Sequence, residues 1–296
     1  PFLVLLRAPR SGTTNRAITT TYGLYPNHLL DLWVDRGLHG SVPELTLITV
    51  VGIVAIGGVI GFLGGLLGKG GSAIATPALV ALGLPPIVAL AAPLPATVPG
   101  AMVAANRYRE HGHIDRTVLR WSLIAGVPAT ILGAFATRWI DAGSLVLLTD
   151  LVIIVIGLRM LRTSTAKQSD NDVDEGADRN RTIAVALVTG VAAGLLANSG
   201  GFLLAPLFVA VLGLGIRPAL GTSLATASVL AIPGTMVHMA MGHLDLAVVV
   251  LFAIGSIPLS GLGARVALRA DVARLERFYG ASLVVLGAVF LAISAV

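Results

Sequence analysis

The sequence contains no cysteine, which excludes disulfides, thiolate nucleophiles and Cys-ligated metals or clusters. It is also short of charge. Only 12% of its 296 residues are charged, against about 25% in a soluble domain, too few to cover the surface of a soluble particle. In their place stand 55% hydrophobic residues and a mean hydropathy of +0.89. Gly 35 and Pro 15 fit that composition, because both are commoner in membrane helices than in soluble ones. This is an all-α polytopic membrane protein, and soluble enzymes, nucleic-acid binders and secreted disulfide scaffolds are excluded. The net charge of +5 does not call for nucleic acid, since excess Lys and Arg in membrane proteins mark cytoplasmic loops.

Residues 1–44 differ from the rest. Phe2 to Leu6 is apolar but short, and Arg7 and Arg10 follow it instead of preceding it, a poor match to a secretory signal. The region is expected to be a poorly ordered N-terminal extension with no assigned function. From Leu45 onward apolar runs alternate with short polar joints, at about 45–67, 72–83, 87–105, 118–138, 143–161, 182–197, 201–214, 218–240, 246–265 and 275–296. A full crossing needs roughly 20 residues, so 72–83, 182–197 and 201–214 suggest broken or tilted helices. The acidic stretch around Asp170 to Asp178, flanked by Arg159, Arg162, Arg179 and Arg181, reads as a hydrophilic cytoplasmic linker over 163–181. A first transmembrane repeat at 45–162 and a second at 182–296 lie on either side.

The two halves resemble each other. Gly61 and Gly65 match Gly190 and Gly194, and Pro77 falls opposite Pro206. Gly112-His113-Ile114-Asp115 pairs with Gly242-His243-Leu244-Asp245, Pro128 and Gly133 with Pro258 and Gly263, and Asp141 with Asp271. Matches of Gly, Pro, His and Asp do not arise from apolar composition alone. Charge then argues for inversion. The joint after the third run carries Arg107, Arg109, Arg116 and Arg120, whereas its counterpart at Gly242 to Asp245 has none. The following joints reverse this, with Arg138 alone against Arg265, Arg269, Arg274 and Arg277. Equivalent joints facing opposite sides predict two inverted repeats of about five helical segments each, with Gly-rich helix breaks.

Those breaks are Gly68-Lys69-Gly70-Gly71-Ser72 and Asn198-Ser199-Gly200-Gly201. Clustered glycines free the backbone from helical geometry and leave N–H groups unpaired at the next helix start, where the dipole favours an anion. Irregular backbone at membrane depth survives where it lines a cavity or is buried in protein. Matched breaks in inverted halves are expected to converge near the midplane on a substrate; the competing reading is that the glycines only permit close helix packing. Lys69 would suit a small oxyanion beside unpaired N–H groups, or would cap a cytoplasmic turn and meet water. Asp150, the acid deep in a span, could carry a coupling proton or pair with Lys69, or serve as an interhelical hydrogen-bonding acid. His111, His113 and His243 read as solvated loop residues and His238 as a packing residue. No metal site is expected, because no further ligands cluster with them in sequence.

On Gly61 to Pro77, Gly190 to Pro206 and Gly221-Thr222-Ser223-Leu224, the chain resembles the TauE/SafE family of sulfite and organosulfur-anion exporters. The resemblance spans about Leu45 to Val296. It implies a duplicated inner-membrane bundle that moves small anions. Thr222 and Ser223 join the two Gly-rich segments as candidate substrate ligands on that basis. The first half has Ala92-Pro93-Leu94 where the second has Thr222-Ser223-Leu224, a departure that leaves the particular anion open.

The expected function is a secondary transporter exporting a small anion, sulfite or another sulfur-containing anion, by alternating access. No enzyme activity and no cofactor are expected. The alternatives are a carrier for another small organic anion, an accessory membrane subunit, or an intramembrane enzyme such as an aspartyl protease, which would need two acids sharing a site. Expected partners are the lipid bilayer and the anion, with no nucleic acid. A coupling proton or sodium ion and a second copy of the chain in a homodimer stay open.

Overall fold

The computed structural model describes residues 46–68, 72–136, 154–155, 157–158, 178–195, 201–240 and 242–294. The extension 1–44, most of the linker, Asp150 and the centres of both Gly-rich segments lie outside the described residues. The first half contains α1 (Leu47–Leu67), α2 (Ser72–Ala81), α3 (Pro86–Ala91), α4 (Pro93–Glu110) and α5 (Arg116–Ala136). The second contains α6 (Arg179–Leu195), α7 (Gly201–Ala210), α8 (Ile216–Ala240), α9 (Leu246–Arg269) and α10 (Val272–Ser294). There is no strand among the described residues.

Four of these stretches are long and apolar enough to cross a membrane, among the described residues: Leu47–Leu67, Pro86–Glu110, Ile216–Met236 and Leu246–Arg269. At 1.5 Å per residue, 21 residues rise about 31 Å, which matches a hydrocarbon core of about 30 Å. Their outer faces are apolar. Leu47 and Leu246 are 78% and 76% exposed, as lipid-facing residues would be. With ten residues each, α2 and α7 rise only about 15 Å, so both are short of a crossing by themselves. Even so, α2 travels back along α1, because a Cβ on Gly52 would lie 2.8 Å from Leu82. Leu82 follows the end of α2, and Gly52 is near the start of α1.

The helix ends follow from short-range chemistry. Thr46 caps α1 by accepting from the Thr49 N–H at 3.3 Å. After α4, Gly112 takes φ +76, and after α8 Gly242 takes φ +71, a left-handed conformation that glycine enters without steric cost. The next N–H then reaches back five residues, from His113 to the Tyr108 carbonyl at 2.9 Å and from His243 to the His238 carbonyl at 3.0 Å, as in a Schellman closure. Two residues on, a carboxylate starts the next helix. Asp115 accepts from the Val118 N–H at 2.8 Å and Asp245 from the Val248 N–H at 3.0 Å, each satisfying an otherwise orphaned donor.

The halves are interlocked. α1 packs most extensively on α9, and α5 on α6, so the first helix of each half lies against a helix of the other. Gly57, Gly61 and Gly65, four residues apart, form one stripe of α1. A Cβ at Gly61 or Gly65 would overlap the carbonyl oxygens of Ser256 and Ser260. From the other side, a Cβ on Gly255 or Gly263 would overlap the Val54 and Phe62 carbonyls. The second seam is built likewise, with Gly133 on the Val191 carbonyl and Gly190 on that of Gly126. Small residues let backbones touch where lipid supplies no hydrophobic drive.

Between the seams, α4 lies against α8. Gly221, early in α8, faces Tyr108 near the end of α4, while Gly234, late in α8, faces Leu94 near the start of α4. The two helices therefore run antiparallel, although they occupy matched places in the sequence repeat.

Replacing Gly65 by Ala should cost about 1–3 kcal/mol, because the new methyl has only backbone to push against. Val59, 59% exposed on the same helix, should tolerate Ala within roughly 0.5 kcal/mol. Thermal unfolding of both variants in detergent checks the seam; equal melting shifts would contradict it.

Candidate functional site

The first Gly-rich segment begins where α1 ends. Gly68 closes that helix at φ +65, with its N–H on the Gly64 carbonyl. Its own carbonyl would be orphaned by the break, and Ser223 of α8 supplies a donor at 3.1 Å. The same hydroxyl lies 2.9 Å from the Leu220 carbonyl, so one proton is shared between two acceptors. The fit is close: a Cβ on Gly68 would come within 2.8 Å of Leu220 and 2.9 Å of the Ser223 hydroxyl. Both φ and space demand glycine here.

Thr222 holds the neighbouring joint. Its Oγ1 accepts the Asp115 N–H at 3.0 Å, tying the start of α5 to α8. Tyr108, fully buried, donates to the Gly65 carbonyl at 3.3 Å. Residues 65–68, 108–115 and 221–223 thus form one knot that joins the halves. Tyr108 is in the last turn of α4, so Gly68 lies near the Arg-rich end of the bundle. α1 continues to that end before it breaks at Gly68. Whether the two breaks meet lies outside the described residues.

Beside this knot opens a cleft of about 1050 Å³, lined by Arg107, Arg109 and Arg116 from the joint and by Ala225 and Ser228 from α8. Glu110, the one carboxylate on its wall among the described residues, is engaged by Arg107 at 3.1 Å. Arg109 and Arg116 have no ion pair among the described residues. The mouth therefore carries net positive charge, and a cleft lined by one sign of charge concentrates the opposite ion. Thr222 and Ser223 do not open onto it. Both are fully buried, and they hold Gly68 and the joint in place.

Of the other candidates, Lys69, Gly70, Gly71, Asn198, Ser199, Gly200 and Asp150 lie outside the described residues. Ser72 and Gly201 are the first residues of α2 and α7, so each Gly-rich segment does lead directly into a helix N-terminus. Two features had no reading in the sequence. Arg217, in the first turn of α8, donates to the Ala270 carbonyl at 2.8 Å and stands one turn before Leu220, which packs on Gly68. A lone Arg before Pro218 in an apolar run was the available sign. The second is a histidine pair. Nδ1 of His238, beyond the apolar span in the last turn of α8, lies 3.2 Å from Nδ1 of His243, so one ring donates and the other accepts. Burial first, and then the adjacent His243, hold His238 below the usual imidazole range. His243 is thus tied to α8 instead of being a freely solvated loop residue.

Comparison with known proteins now has a geometry to rest on. A family model described as "Sulfite exporter TauE/SafE" matches residues 53–290. A "Probable membrane transporter protein" of Xylella fastidiosa (strain 9a5c) is 30% identical over 247 residues, covering 80% of this chain and 92% of the relative. Its counterpart in Xylella fastidiosa (strain Temecula1 / ATCC 700964) is 28% identical over 242 residues, with the same coverage. The "Probable membrane transporter protein YunE" of Bacillus subtilis (strain 168) is 32% identical over 114 residues, covering 36% of this chain and 40% of that protein. No solved structure matches the chain.

Replacing Ser223 by Ala should leave the buried Gly68 carbonyl without its interhelical donor, at a cost of about 1–3 kcal/mol. Hydrogen exchange near Gly68 should speed up more than exchange in the α5–α6 seam. A uniform change across both regions would show that the bond does not anchor the break.

Proposed function

The chain belongs to the sulfite exporter TauE/SafE family, and from that premise we propose that it is a secondary transporter exporting a small anion across the inner membrane. Its relatives carry the name of membrane transporters. The observation that carries the anion is the cleft with Arg107, Arg109 and Arg116 on its wall, which adjoins the knot at Gly68. A small oxyanion drawn into that mouth would meet the Gly-rich segment that follows Gly68 and leads into the N-terminus of α2, with backbone N–H groups as proposed donors and Lys69 as a fixed cation. Asn198, Ser199, Gly200 and Gly201 would offer the matching amide, hydroxyl and backbone donors from the other half. Thr222 and Ser223 contribute by holding the break open. Sulfite, or an organosulfonate with the same terminal oxygens, fits the family description. A proton or sodium ion would drive the cycle.

Alternating access is proposed to follow from inverted repeats, residues 45–162 and 182–296, related by an axis in the membrane plane. The antiparallel course of α4 and α8, together with the interlocked seams, supports that relation. Arg116 and Leu246 open α5 and α9 at matched positions, so they should emerge on opposite sides. On this Cys-free chain, a membrane-impermeant thiol reagent applied from the periplasm should label Leu246→Cys and spare Arg116→Cys. Labelling of both, or of Arg116→Cys alone, would rule out the inversion.

Substrate is read by counterflow in proteoliposomes with sulfite, thiosulfate, sulfoacetate, acetate and chloride. Exchange of at least one sulfur oxyanion is expected. Lys69→Met keeps the length of the stem without the charge, and should weaken apparent affinity about ten-fold or more, the equivalent of roughly 1.5–3 kcal/mol for a hydrogen bond to a charged group. Unchanged exchange in Lys69→Met would mean that Lys69 caps a turn. Failure of every anion to exchange would remove the anion reading itself.

A further inference from the structure

The α1–α9 seam is tight along most of its length and opens at one point. Where α4 crosses it, a cavity of about 30 Å³ is lined by Gly61, Gly65, Thr97, Gly100, Ser256 and Ser260, with apolar neighbours. By the usual requirement of about 10–15 Å³ per water, it holds roughly two water-sized guests. It sits near the middle of the Pro86–Glu110 span and reaches to Gly65, one turn before Gly68. The Ser256 hydroxyl on its wall is buried and has no hydrogen-bond partner among the described residues. A buried hydroxyl without a partner is costly, and Ser256 would be better replaced by Ala if packing were its only task.

The matched crossing in the other half is built differently. With the repeat register of Gly112 on Gly242, Gly100 corresponds to Leu230, Thr97 to Ala227 and Ser256 to Gly126. There Leu230 is 1% exposed and lies over Gly126, its side chain 3.4 Å from where a Cβ would stand. One crossing is filled by Leu230 and keeps a single matched hydroxyl, Thr130 at the place of Ser260, which is bonded back to the Gly126 carbonyl at 2.8 Å; the other is open and carries three hydroxyls. Helix packing requires only the first kind, since the filled version already serves the matched seam.

The donor balance identifies the guest. Thr97 gives its proton to the Pro93 carbonyl at 2.8 Å. Ser260 gives its single proton to the Gly100 carbonyl at 2.8 Å or the Ile257 carbonyl at 2.7 Å. Two of the three hydroxyls therefore offer lone pairs, not protons. Pro93, Pro95 and Pro99 also remove the amides that would have bonded the Ala89, Ala91 and Pro95 carbonyls next to this stretch of α4. An anion in the cavity would find one free hydroxyl donor, on Ser256, beside two hydroxyls that present lone pairs. Among the described residues no carboxylate lines the cavity, which disfavours calcium and magnesium, whose protein sites draw on carboxylates. Nor, among the described residues, does a titratable side chain line it, which disfavours a proton.

We propose that Thr97, Ser256 and Ser260, with carbonyls of α4, bind a monovalent cation of sodium size at the α1–α4–α9 crossing. The binding claim stands on the cavity alone; its purpose as the coupling ion rests on the transporter reading. Such a cation would tie α4 to the α1–α9 seam at mid-depth when bound and release it when absent.

The full chain in detergent should melt higher in sodium chloride than in choline chloride at equal ionic strength, with a saturable dependence on sodium. Ser256→Ala should shift the sodium midpoint upward at least ten-fold. Gly100→Ala, for which there is room since the nearest atom to its Cβ would be 3.7 Å away, should do the same by narrowing the cavity. Thr97→Val is the second hydroxyl test if Ser256→Ala fails to fold. Melting that is identical in sodium and choline would mean that the cavity holds water only, and overturns the proposal. So does a sodium effect that survives both Ser256→Ala and Gly100→Ala unchanged. Anion counterflow without a sodium gradient is scored separately. Exchange with no sodium effect sinks the cation site alone, and a sodium effect with no exchange of any anion sinks the anion reading alone.

Discussion

Backbone-to-backbone contact between helices from different halves is the constraint on which the rest of this bundle depends. In lipid, an apolar side chain gains nothing by leaving its solvent for another helix, so association must come from close packing and polar contacts. The Gly57, Gly61 and Gly65 stripe brings α1 onto the carbonyls of α9, and Gly133 and Gly190 do the same for α5 and α6. Each seam joins the first helix of one half to a helix of the other. Among the described residues neither half has an equivalent partner for its own first helix.

That exchange sets up the polar features. Because α1 is held against α9 and α4 against α8, the end of α1 arrives beside Thr222 and Ser223, and the break at Gly68 is braced by the opposite half. The joint from Gly112 to Asp115 is fixed to the same turn of α8 by the Thr222 bond. The guanidinium groups of Arg109 and Arg116 are thereby carried to a mouth whose far wall is α8. Motion of one half against the other would move the walls of the cleft and the brace on the break together.

Much of the bundle was legible in the sequence because its signals are local. Gly112 and Gly242 end helices through their own φ, and Asp115 and Asp245 start helices through their own carboxylates, so boundaries and repeat could be read without knowing any neighbour. The spacing of Gly57, Gly61 and Gly65 places them on one face of a helix, but nothing in it says which helix that face meets. The site was less legible, because its contacts join residues far apart in the chain. Nothing in the sequence pairs Tyr108 with Gly65, or gives Ser223 the Gly68 carbonyl. The likeness of Thr222 and Ser223 to a family motif suggested ligands; the contacts they make are to the Asp115 N–H and the Gly68 carbonyl of the scaffold. Ser256 is one of two serines in α9, and only the space left by Gly100 distinguishes it from the hydroxyls that bond back to their own helix.

The interlocking also bears on how the chain is made. α1 leaves the ribosome early, yet Ser256 and Ser260, the residues its glycine stripe lies on, are synthesised roughly 200 residues later. At about 5–20 residues per second, the first helix spends some 10–40 seconds in the bilayer or insertion machinery with its narrowest face uncovered. The α5–α6 seam closes far sooner, since Gly133 and Val191 lie close in sequence. Assembly therefore has a built-in order: the central seam can form during synthesis, and the outer one only when the penultimate crossing has been inserted. A newly made molecule that loses its last crossings would strand α1, presenting a glycine-lined groove that invites capture by other membrane helices or by quality-control proteases.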